Sequence, residues 1–116
     1  MMSLQAMLQH VGEAFAEITP LCYHYWRPVM DVPCIIWAET GEDDAMEADN
    51  RKTEQSIAGA VDFYTKTEYD PLIDSIQEKL VELDVAWKLD SVMYEPDTNL
   101  IHYSWSWRKA YGETGV

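Results

Sequence analysis

"SIAGAVDFYTKTEYDPLIDSIQEKL", residues 56–80, decides the fold. Its first ten residues alternate as a strand does. Ile57, Gly59, Val61, Phe63 and Thr65 fall on one face, Ala58, Ala60, Asp62 and Tyr64 on the other. Asp70-Pro71 is a helix-start signature, a carboxylate N-cap followed by proline at the first helical position. Leu72, Ile73, Ile76, Leu80 and Leu83 then recur as the apolar stripe of an amphipathic helix. A strand therefore hands over to a helix within this one segment.

Upstream, Leu4, Met7, Leu8, Val11, Phe15 and Ile18 form a second helical stripe, with Ser3 as N-cap and Pro20 as its stop. "LCYHYW", from Leu21 to Trp26, reads as a short strand. "PCIIWAE", from Pro33 to Glu39, is apolar on both faces and reads as a central one. Downstream, "AWKLDSVMYE" (Ala86 to Glu95) and "LIHYSWSWRK" flank the turn "PDTN" as a hairpin. In the second arm Ile101, Tyr103, Trp105 and Trp107 share a face, against His102, Ser104, Ser106 and Arg108. The final "YGETGV" is expected to fray. The order α-β-β-β-α-β-β predicts a single α+β domain over residues 1–116: a mainly antiparallel mixed sheet of about five strands, packed by two helices.

Between the second and third strands, roughly residues 40–55 make a connection far longer than a hairpin turn. Glu42, Asp43, Asp44, Glu47 and Asp49 crowd it, followed by Asn50, Arg51 and Lys52. Such a segment is too polar to bury itself and reads as a projecting acidic arm. The whole chain leans the same way: 21 acidic against eight basic residues give a net charge of −13 over 116 residues. That field repels phosphate backbones and anionic lipid, which argues against sequence-specific nucleic-acid binding and membrane association. No apolar run approaches the roughly 20 residues of a bilayer span, and the start lacks the basic and apolar regions of a signal peptide. Cys22 and Cys34 read as buried free thiols. A soluble intracellular protein is expected.

Candidate chemistry is sparse. The acids Glu39, Glu42, Asp43, Asp44, Glu47 and Asp49 suggest an oxygen-ligated cation, yet Ala45 and Ala48 interrupt them and no glycine supplies an EF-hand turn. A solvated charge run is the plainer reading. Cys22, His24, Cys34 and His102 are zinc-type ligands without the close pairs of a structural site. A Cys/His nucleophile lacks any sign of an activated thiolate, and no phosphate-binding or dinucleotide-binding glycine motif occurs. No enzyme, metal or cofactor is expected. The aromatic residues are more informative: five Trp and seven Tyr against two Phe. Rings with polar tips suit partly wet interfaces, so Tyr103, Trp105 and Trp107 are candidate contact residues; the competing reading is that helices bury them.

The segments "VPCIIWAE", "EADNRKTEQSIAGAVDFYTKTEYDPLIDSIQEKL" and "AWKLDSVMYEPDTNLIHYSW" resemble the small tail-completion, or tail-terminator, proteins of long-tailed bacteriophages and prophages. The likeness runs from about Val32 to Trp107 and rests on element order, on Ala48-Asp49-Asn50 before a G-x-V-D-F/Y strand, and on Tyr69-Asp70-Pro71 opening a helix. It implies two helices on a mixed sheet and a non-enzymatic virion component. It also implies a homo-oligomeric ring, typically six-fold, that caps the tail tube and meets the head connector; the free subunit is expected to be a monomer until a partner surface is offered. The loop between the second and third strands would order against neighbours or the tube. Glu42, Asp43, Asp44, Glu47, Asp49, Asn50, Arg51 and Lys52, with Tyr103, Trp105 and Trp107, would then be assembly-interface residues. The protein would be made in the bacterial cytoplasm and end in the virion tail, beside the tube and connector proteins. The main rival is an acidic DNA mimic that occupies a host nucleic-acid-binding enzyme. Metal-dependent hydrolysis through Glu42, Asp43 and Asp44 is a second.

Overall fold

Thr65 and Asp70 join the central strand to the helix that follows it. The Thr65 hydroxyl donates to Asp70 Oδ2 at 2.6 Å, and Asp70 Oδ1 accepts from the Leu72 backbone N–H at 2.9 Å. The carboxylate thus satisfies one of the orphan N–H groups of the helix start, as the sequence predicts, and does so from a buried position. Replacing Asp70 with Ala is expected to cost about 1–2 kcal/mol, through the lost cap and the stranded Thr65 hydroxyl. Urea unfolding should show this as a lower midpoint at unchanged slope.

The computed structural model describes residues 3–28, 31–42, 47–48, 51–52 and 55–111. Its elements are α1 (Leu4–Ala16), β1 (Cys22–His24), β2 (Cys34–Glu42), β3 (Glu47–Ala48), β4 (Arg51–Lys52), β5 (Gln55–Thr65), α2 (Leu72–Glu82), β6 (Ala86–Glu95) and β7 (Leu100–Tyr111). Five strands form one sheet in the order β1-β2-β5-β7-β6, while β3 and β4 pair separately as a small ribbon. Only β1 runs parallel to its neighbour β2; the other pairs are antiparallel. The α+β architecture expected from the sequence is therefore present. The first strand is shorter than Leu21–Trp26, because the chain turns at Tyr25, whose φ is 78°.

Alternation on β5 sorts its side chains as read: Ile57, Gly59, Val61, Phe63 and Thr65 are buried, and the intervening residues are half-buried. The buried face meets the apolar stripes of both helices. Met7, Leu8, Val11 and Phe15 of α1 join Ile76 and Leu80 of α2 over Ile35, Trp37, Val61, Phe63, Trp105 and Trp107. Two glycines matter here. A Cβ on Gly59 would lie 2.2 Å from Trp107 Cζ2, so only glycine leaves the slot in which that indole rests. Gly41, at φ 152°, sits where the pairing of β2 with β5 slips between Glu39 and Gly41.

Lys79 ties the two helices together, its ammonium 3.0 Å from Glu17 and 3.1 Å from Glu82. The two carboxylates raise its pKa. No helix of the described residues is long and apolar enough to cross a membrane.

Candidate functional site

Trp105 and Trp107 are not surface residues. Their relative exposures are 0% and 1%, so they cannot serve as the interface contacts the sequence suggested. Helix packing buries them: the Trp105 indole N–H donates to Gln77 Oε1 on α2 at 3.1 Å, and Trp107 fills the space above Gly59. Tyr103 is half-buried, its ring stacked on Trp105 at 5.9 Å between centroids.

Tyr25, Trp26 and Tyr69 are exposed singly near turns, whereas an extended uncovered apolar face lies one strand further out, on β6. Trp87, Leu89, Val92 and Tyr94 of β6 stand opposite Trp107, Trp105, Tyr103 and Ile101 in register, and therefore on the same side of the sheet. Their partners on β7 lie inward of them, but these four are exposed, Val92 at 51% and Tyr94 at 59%. Val81 on α2 is exposed as well. A groove of about 320 Å³ runs between α2 and β6, lined by Asp74, Gln77, Glu78, Val81 and Trp87. The reason is placement. α1 lies on β1 and β2, and α2 reaches β7 through Gln77, so the outer strand β6 stands beyond the helix layer.

Simple alternation on β6 misses this face. It would group Trp87 and Leu89 with Ser91 and Met93. The register slip between Leu89 and Ser91 instead brings Val92 and Tyr94 round to join Trp87 and Leu89. The available sequence signal was the density of large apolar residues on both faces of this strand.

The other anticipated arm residues divide. Glu42 closes β2 and is exposed. Glu47, Arg51 and Lys52 fall in the ribbon, where the backbone register sets Glu47 opposite Lys52 and Ala48 opposite Arg51. Asp43, Asp44, Asp49 and Asn50 lie outside the described residues.

The candidate metal and nucleophile residues are dispersed. Cys22 stands opposite Ile35, on the helix-covered face, whereas Cys34 precedes Ile35 and points to the other. Both are free thiols. Burial, with Cys34 nearby, pushes the Cys22 thiol up to about 11, so it stays protonated at neutral pH. Cys34 Sγ accepts from Arg27 Nη1 at 3.3 Å, and that guanidinium sits 4.6 Å above the Tyr64 ring. His102 pairs with Asp62 at 2.7 Å and stacks on Tyr64. Among the described residues, no group of three or more His, Cys, Asp or Glu side chains converges as a metal would require.

His24 belongs to a stack at the opposite edge. Its ring lies 3.9 Å from Trp37 and 3.8 Å from Tyr25. Glu39 ties the stack together, meeting His24 Nε2 at 2.7 Å and the Tyr25 hydroxyl at 2.5 Å. Partial burial pushes the Glu39 carboxyl up, but the hydrogen bonds from Tyr25 and His24 outweigh it and hold the group below its ordinary value. The neighbouring cleft of about 360 Å³ is walled by Gln5, Gln9 and Glu13 of α1. By holding both His24 and Tyr25, Glu39 fastens the β1 edge of the sheet.

No protein-family model matches the chain, and no curated protein matches it.

Proposed function

We propose that this protein is a non-enzymatic structural component of a phage or prophage virion, a ring subunit that completes the tail tube and joins it to the head connector. The observation that carries this reading is the contiguous apolar face of β6, Trp87, Leu89, Val92 and Tyr94, left open on an otherwise strongly acidic chain. A bare patch of this kind belongs to a protein that works by being covered by another protein. The resemblance in element order supports the specific assignment. The ribbon of β3 and β4 gives the acidic arm a two-stranded body with which to reach a neighbouring subunit.

On this reading Asn50, Arg51 and Lys52 of one subunit pair with Glu42, Asp43 or Asp44 of the next. Free subunits of charge −13 repel one another, so salt should ease ring closure. The test is electron microscopy of the purified protein mixed with tail tubes, with sedimentation at rising ionic strength. Rings seated on tube ends, formed more readily as salt rises, are expected. Absence of tube-end binding, or rings that dissociate as salt increases, would count against it. The DNA-mimic reading calls for carboxylates along an extended surface at phosphate-like spacing, whereas the densest acidic run, between Glu39 and Asp49, falls in one segment.

A further inference from the structure

We infer that the groove between α2 and β6 receives an amphipathic helix from another protein, one whose apolar stripe is flanked by Lys and Arg. The inference deepens the reading of β6 as a docking face and rests on it.

Three observations select this occupant. First, the helix layer is short of one helix: α1 lies on β1 and β2, and α2 reaches β7 through Gln77, leaving β6 as an open ledge beside α2. The ledge from Trp87 to Tyr94 spans roughly 23 Å of strand, matching about 15 residues of helix. A third helix docked against α2 would cover Val81, Trp87, Leu89 and Val92 together, in the manner of helix-in-groove recognition.

Second, the rim is acidic. Asp74 and Glu78 line the groove on the α2 side. The nearest cation of α2, Lys79, turns away to Glu17 and Glu82. Basic flanks on the incoming helix answer this rim, and acidic flanks are repelled by it.

Third, a second copy of the chain fits poorly. Its exposed α1 residues, Gln5, Ala6, Gln9, His10, Glu13 and Ala16, carry no large apolar side chain to fill the groove. Pairing two β6 edges would widen the open ledge instead of roofing it. The β6 edge also carries devices that discourage strand addition, exposed Lys88 and Asp90 beside a register slip.

The test uses the intact protein and model 18-residue peptides of leucine and lysine. In one, leucines recur at helical spacing; the second has the same composition in scrambled order; the third replaces lysine with glutamate. Titration calorimetry is expected to give micromolar binding for the ordered leucine–lysine peptide alone. Leu89→Glu, and separately Val81→Glu on the surface of α2, should each weaken it by at least about tenfold. Glu78→Gln should weaken it by a smaller factor that shrinks as salt rises.

Equal binding of the scrambled peptide would reduce the effect to bulk charge and overturn the inference. Indifference to both Leu89→Glu and Val81→Glu would overturn it too. So would self-association of the protein alone that Leu89→Glu disperses, since that assigns the face to a second copy. Because no tail tube enters this experiment, its outcome is separable from that of the tube-end assay. Rings on tubes without peptide binding would sink the helix alone, and the converse would sink the tail assignment alone.

Discussion

Gly59→Ala is expected to be among the most damaging single-methyl additions this chain can receive. The new Cβ would meet Trp107 at 2.2 Å from Cζ2, 2.4 Å from Cε2 and 2.7 Å from Cη2. Those are ring atoms of a side chain only 1% exposed, closed in by the core, so the indole cannot swing aside as a surface side chain would. Overpacking of this kind costs about 1–3 kcal/mol, and the severity of the overlap places this case at the upper end. For a domain of this length the melting temperature should fall on the order of 10 °C, read by calorimetry or circular dichroism.

A second substitution locates the cause. Trp107→Phe removes the outer part of the indole and with it a buried N–H that has no partner among the described residues. The double variant should therefore be more stable than the two separate losses sum to, because each change makes room for the other. If Gly59→Ala melts within a degree or two of the parent, Trp107 does not lie across Gly59, and the account of this part of the core is wrong.

Trp105→Ala should cost still more, about 3–5 kcal/mol, from lost burial and the cavity left under α2. The indole is fully buried and its N–H satisfies Gln77, so truncation also strands an amide oxygen. Against a typical total stability of about 5–15 kcal/mol, the variant would populate unfolded chain appreciably at physiological temperature. The contrast with Trp87→Ala is the informative part. Trp87 is 36% exposed at the edge of the same sheet face, and its removal should cost about 1–2 kcal/mol, well below the loss at Trp105, while weakening docking. Denaturant midpoints for the two variants, measured side by side, separate a core tryptophan from a surface one. Equal losses would return Trp105 to the role of contact residue.

The chemistry-bearing residues illustrate how type alone misleads. Cys22, His24, Cys34 and His102 are plausible ligands one by one, but β2 sends Cys34 to the face opposite Cys22, and Glu39 and Asp62 claim the two histidines. The register disperses the four, and among the described residues no three such side chains converge. No periodicity in the sequence foretells that, because it depends on which neighbours the register supplies.

The alternation from Ile57 to Thr65, the stripes of α1 and α2, and the carboxylate of Asp70 ahead of Pro71 were legible in the residues themselves. Strand pleat, helical turn and cap are set by neighbours a few positions apart, so local order suffices to write them. Which tryptophan faces water was not written there. Trp105 and Trp87 look alike as residues on strands, and only the lateral reach of two helices across five strands buries one and bares the other. The slip between Leu89 and Ser91 worked in the same way, turning Val92 and Tyr94 to the open side. Coverage is a matter of placement and register between distant segments, and those exist only once the chain has folded.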